Sequence, residues 1–206
     1  MKTQRLALLL APVFLVAAPD ASADEAARWP VAAVGLMAAD TAASAPPDVK
    51  RMLAKHPSRL MEGVKSGLAA SPARDAAARR AALASASRRI AQAIRDHRPF
   101  EDVAYEAGGL VAEASLLFPP PGQEADGAAL LALARSGATF RGYPQRPFDA
   151  PATLVSAALP AGTAREAYDA GLTLSARLLA WIWNTAGGDA SVAAARPESK
   201  GPYPVR

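Results

Sequence analysis

Residues 100–118 are apolar on two opposite sides, and that pattern limits the folds open to this chain. Val103, Ala107, Leu110, Val111, Ala114, Leu117 and Phe118 fall on one stripe of a 3.6-residue helix. On the far side Gly108, Ala112 and Leu116 form a second row at four-residue steps, where a surface helix would be polar. A helix apolar on both sides belongs in the middle of a bundle, and Gly108 and Ala112 let a neighbouring backbone come close. Pro119-Pro120-Pro121-Gly122 ends it.

The rest of the chain is also helical and is punctuated by proline. A first helix follows Trp29-Pro30 and carries Val31, Val34 and Met37, with Pro46-Pro47 interrupting it. Residues 48–56 form a short second helix. Pro57 opens a third with Leu60, Met61, Val64 and Leu68. Ser71-Pro72 opens a longer one reaching about Arg98, stopped by Pro99, with Leu83, Ile90 and Ile94 at helical steps. A weaker helix spans 128–135, and residues 139–144 read as a loop. Thr163, with Glu166 three residues on, caps the last helix, which holds Tyr168, Leu172, Leu179, Ile182 and Trp183 until Gly187-Gly188. Alternating β-branched runs and solenoid repeats are absent. The expected fold is all-α, a single bundle of about six to seven helices.

The beginning of the chain reads as a secretory leader. Lys2 and Arg5 give a charged start, Leu6 to Ala18 is an apolar run of thirteen residues, and Ala21-Ser22-Ala23 is a small-residue exit. Thirteen apolar residues fall short of the ~20 that span a bilayer. The expected division is a signal peptide at 1–23, a helical domain at 24–188 and a loose tail at 189–206, with export to the periplasm or beyond. With no cysteine in the chain, disulfides and an N-terminal lipid anchor on cysteine are excluded. The calculated pI is near 9.7, yet the formal net charge is +4 and removal of the leader lowers it by one. That is an ordinary surface charge, and it names no partner.

Candidate chemistry is sparse. His56 and His97 are the only histidines. Each stands beside a proline at a helix end, where the dipole favours a cation. Asp102, Glu106 and Glu113 share one edge of the 100–118 helix, since steps of four and seven residues return to nearly the same angle. Paired carboxylates can do acid/base work, so a phosphoester hydrolase using His56 or His97 with that edge is one reading. A solvated helix face is the other. Between Arg74 and Arg98 lie seven arginines, ends included, against two aspartates. Arg74, Arg88, Arg89, Arg95 and Arg98 lie away from the apolar stripe and could meet an anionic membrane surface or a protein partner. No aromatic residue is interleaved there for base stacking, which disfavours nucleic acid. A second candidate surface is the groove near Phe140, Tyr143 and Phe148.

The run from Tyr105 to Pro120 resembles the central helix of zinc-dependent phospholipase C and the related zinc single-strand nucleases. Gly108, Leu110 and Pro120 match that helix's frame. The resemblance extends in outline from Trp29-Pro30, through Pro46-Pro47-Asp48, to the closing helix from Tyr168 to Trp183. It implies a helical phosphoesterase fold with zinc held by the side chains of the central helix. Here, however, Ala112 stands at the histidine position, Leu116 at the aspartate position and Val34 at a further histidine position. Hydrocarbon side chains donate no electron pair to zinc, and Trp29 preceded by residues 24–28 has no free amine to offer. A catalytic zinc site keeps three protein ligands. The resemblance therefore implies a relative without metal ligands, cofactor or hydrolytic activity, serving as a binding or structural module.

Overall fold

The computed structural model describes residues 28–71, 75–121, 126–143, 150–158 and 161–190. The expected leader and most of the expected tail lie outside these residues, as do Arg74 and Phe148. The described residues form eight α-helices and no strand: α1 (Val31–Ser44), α2 (Pro47–Leu53), α3 (Pro57–Ala70), α4 (Ala76–Arg95), α5 (Phe100–Leu117), α6 (Gly127–Arg135), α7 (Pro151–Ser156) and α8 (Ala164–Thr185). The count exceeds the expected six to seven because α7, six residues long, is too short to show a period. None of the described helices is long and apolar enough to cross a membrane.

Proline sets three of the helix starts. Pro47, Pro57 and Pro151 sit in the first turn, where the missing N–H would lack an intrahelical partner in any case. Side chains set three others. Asp75 accepts from the Ala78 amide at 2.7 Å, and Asp126 from the Ala128 amide at 2.9 Å. Thr163 and Glu166 close a reciprocal capping box on α8. Because Asp75 makes the cap, α4 begins at Ala76 rather than at Ser71-Pro72.

The α4 helix also stops short of Arg98. His97 adopts a left-handed φ of 58°, and the Arg98 amide turns back to the Ala93 carbonyl at 3.0 Å. Gly187 (φ 91°) ends α8 in the same way, with the Gly188 amide donating to the Trp183 carbonyl. His97 thus fills a turn position that α8 gives to glycine. Past that turn the packing continues to Ala190, which is buried inside the 189–206 stretch expected to be tail.

In the middle of the bundle α5 meets α1, α3, α4 and α8. Its two apolar sides have separate uses. Val103, Ala107, Leu110, Val111 and Ala114 join the main core with Leu83 and Ile90 of α4 and Leu172 and Leu179 of α8. The Gly108 side lies against α3 so closely that a Cβ at Gly108 would stand 2.0 Å from the Leu60 carbonyl oxygen. Gly63 does the same in reverse, 1.9 Å from the Tyr105 carbonyl oxygen. Trp29 ties the start of α1 to the end of α5, its indole N–H donating to the Phe118 carbonyl at 2.8 Å.

Candidate functional site

Among the three positions that the resemblance would make zinc ligands, Val34 and Ala112 are fully buried and Leu116 is half-buried. Ala112 sits in the α3–α5 seam, where a Cβ on Gly67 would come within 2.8 Å of the Ala112 Cβ. The Ala112 methyl therefore packs directly against the Gly67 backbone. Among the described residues no group of three or more His, Asp or Glu is placed to hold a metal ion.

The two histidines have local surroundings instead. His56 precedes α3 without capping it through its side chain, and its ring lies 6.3 Å from that of Phe100. His97 is exposed, and its Nδ1 donates to the Arg95 carbonyl at 2.7 Å.

The acid edge of α5 and the arginines of α3 and α4 come together. Arg98 reaches Glu106 at 2.9 Å and Asp102 at 3.4 Å. Arg59 adds an ion pair to Asp102 at 3.7 Å, and its guanidinium carbon lies 5.0 Å from the centre of the Tyr105 ring. Further along the helix Glu113 is nearly buried. It accepts from the Ser71 hydroxyl at 3.0 Å and pairs with Arg79 at 3.4 Å, the two charged side chains being 14% and 10% exposed. Glu113 is therefore not on a solvated face. Arg79, which the sequence left inside the basic run without distinction, is its buried partner.

Of these groups Tyr105, Glu106 and Glu113 line an open groove of about 450 Å³ between α3, α4 and α5. Its floor is small, because Gly63, Gly67 and Gly109 line the seam where α3 and α5 touch. Its polar lining includes Ser66, Ser85, Arg89, Tyr105, Glu106 and Glu113, and the Tyr105 hydroxyl donates to Ser66 Oγ at 2.8 Å. The basic set of the sequence therefore divides. Arg98 is neutralised, and Arg95 donates to Gln92 and to the Thr185 carbonyl. Arg88 and Arg89 remain exposed and form no ion pair among the described residues.

A polar cluster on the other side of the bundle was not singled out by sequence. The Tyr168 hydroxyl, on α8, donates to Asp40 Oδ2 of α1 at 3.0 Å, and Trp29 meets the Tyr168 ring edge-on at 5.6 Å. Next to it Asp169 accepts from the Thr139 amide at 2.9 Å. Burial raises the Asp40 carboxyl above the usual range against the pull of the Tyr168 hydrogen bond, and the charge of Asp169 adds to the rise. Asp169 is raised by burial too, against its bond from Thr139. Burial raises Tyr168, and the Asp40 charge adds to it. Arg165 stands near both acids while donating to the carbonyls of Leu133 and Gly137 at the end of α6. Each member of the cluster is thus tied to a neighbouring helix or to the 137–143 loop. The one hint in the sequence was Asp40, an acid set in an alanine-rich helix.

No family model, no curated protein and no solved structure matches this chain, so the likeness to the zinc phospholipases rests on the residues of the 105–120 run and their outline partners.

Proposed function

We propose that this chain is an exported, non-catalytic binding module with a phospholipase C-like ancestry. It meets an anionic partner surface through the exposed Arg88–Arg89 pair of α4, of which Arg89 lines the α3–α4–α5 groove. The single observation that carries the reading is the fit at Ala112. Where the resemblance puts a zinc histidine, the α3–α5 seam holds a buried methyl group packed against the Gly67 backbone. The groove beside that seam keeps charged and hydroxyl side chains at an open surface, which suits recognition of a partner. Arg89 on its α4 side and the adjacent exposed Arg88, without acidic partners among the described residues, suit a negative one.

Elemental analysis and a phosphodiester hydrolysis assay on the purified chain test the first half. The expected result is zinc far below one per chain and no turnover. Zinc near one per chain, with turnover lost in His56→Ala or His97→Ala, overturns the reading. Co-sedimentation with anionic vesicles tests the second half. Arg88→Glu with Arg89→Glu should abolish it, and undiminished binding removes the basic rim from the account. The mass of the protein recovered from the secreting cell tests export, with a mature start at Asp24 expected.

A further inference from the structure

Beside α8 a separate pocket of about 140 Å³ is lined by Arg141, Arg177 and Thr173 together with the apolar Leu154, Ala157 and Leu174. Its two guanidiniums make no ion pair among the described residues. Arg177 Nε donates to the Gly142 carbonyl at 2.9 Å, and one terminal nitrogen lies 3.5 Å from the Arg141 carbonyl. A guanidinium has five N–H donors, so most of those on Arg177 are left for another acceptor. Thr173 is buried, and its Oγ1 accepts from the Arg141 amide at 3.2 Å. Its own hydrogen remains to be given.

Among the described residues no acid lines the pocket beside these two like charges. Burial, and after it the charge of Arg141, holds the Arg177 guanidinium below its ordinary value. The Arg141 charge is felt by Glu166 and Asp169, neither of them within ion-pair distance and both already accepting backbone amides. A bound anion would supply the missing charge, and guanidiniums present their donors in a planar fork suited to oxyanions.

We propose that Arg141, Arg177 and Thr173 form a binding site for an oxyanion carried on a short apolar group. The oxyanion sits between the two guanidiniums and the Thr173 hydroxyl, and the apolar part lies against Leu154, Ala157 and Leu174. A carboxylate and a phosphate monoester share this chemistry. The site is independent of the Arg88–Arg89 rim and of the reading built on it.

The test is titration of the full chain with butyrate, butyl phosphate and inorganic phosphate, followed by the Nε–H resonance of Arg177. Saturable shifts are expected, with butyl phosphate several-fold tighter than inorganic phosphate. Arg177→Met should weaken binding at least tenfold and Arg141→Met several-fold. Ala157→Phe, which fills the pocket without altering a charge, should abolish it while the protein still melts cooperatively. Arg88→Glu with Arg89→Glu should leave it unchanged, so loss of the rim and loss of this site are told apart. Vesicle binding that falls with Arg177→Met identifies a lipid headgroup as the source, and binding of the soluble esters alone identifies a free organic acid. The absence of saturable binding to all three probes overturns the proposal. So does binding that survives both Arg177→Met and Ala157→Phe.

Discussion

The bundle is closed by two seams of opposite kinds. Between α3 and α5 the backbones nearly touch, and Gly63, Gly67, Gly108 and Ala112 supply almost no side chain. Between α1 and α8 the contact is made by large side chains: Met37 against Gly171, Trp29 on Tyr168, and the Tyr168 hydroxyl on Asp40. The first seam is held by shape and dispersion, so a single added methyl group is felt at once. The second is held partly by directional bonds to an ionisable group, so it responds to pH. The second has an acid at its centre, while the first keeps its charges at its edges and fixes where everything else stands.

The largest expected effect breaks the first seam. Gly63→Ala and Gly108→Ala each drive a Cβ to within 2.0 Å of a carbonyl oxygen, which only a shift of the whole helix relieves. Each should lower stability by roughly 3 kcal/mol or more in denaturant melts. Gly109→Ala is the internal control. Its added Cβ has nothing nearer than 3.9 Å, and helix propensity then favours alanine by about 0.8 kcal/mol. If all three behave alike, the seam is not where the tightness lies.

Next comes the ion pair at the open edge of the same seam. Glu113→Gln leaves Arg79, a residue only 8% exposed, facing a neutral amide. The expected loss is about 2 kcal/mol, and a loss below a few tenths would mean the pair is solvated after all.

The second seam should give a smaller effect that depends on pH. Tyr168→Phe removes the bond to Asp40 and should lower stability by about 1.5 kcal/mol at neutral pH. The direction of the pH effect follows from Asp40 and Asp169, whose folded values lie above the ordinary 3.8. In the window between 3.8 and those raised values the folded chain binds more protons than the unfolded one, so their contribution to stability falls as pH rises. The melting temperature should therefore climb on mild acidification from neutral. Glu166, held below its usual 4.5 by the Gly162 and Thr163 amides, works in the opposite direction, its contribution being lost as pH falls from 4.5 through its lowered folded value. Asp40→Asn should raise the neutral melting temperature and flatten the climb. A climb of full size in that variant would assign the effect to other acids.

How legible these features were in the sequence follows from what each depends on. The α5 helix was readable because its period, its proline stop and its second apolar row are local patterns. Gly108 and Ala112 even signalled a close neighbour, although nothing in the chain said that α3 supplies it. The start of α4 was misplaced because Ser71-Pro72 and Asp75 are both acceptable openings, and the aspartate's bond to Ala78 decided between them. The Arg79–Glu113 pair and the Asp40–Tyr168 bond join residues 34 and 128 positions apart. Such pairings depend on how helices are stacked, which no local pattern encodes. The Arg141–Arg177 pocket escaped notice for the same reason, its arginines being ordinary on their own segments.

The smallest effect sharpens the comparison from inside the polar seam. Thr41, one residue on from Asp40, is fully buried, and its hydroxyl has no hydrogen-bond partner among the described residues. A seam that relies on directional bonds here carries a polar atom that makes none, and burying such a group costs about 1 kcal/mol or more. Thr41→Val keeps the branched shape and removes the hydroxyl, so it should stabilise the chain by about 1 kcal/mol in equilibrium melts. Thr41→Ser keeps the hydroxyl and deletes the methyl group, so it should destabilise by a similar amount through the small void it opens. If valine destabilises instead, the hydroxyl is bonded to a water between α1 and α8, and the polar seam extends one residue further than the Asp40–Tyr168 contact.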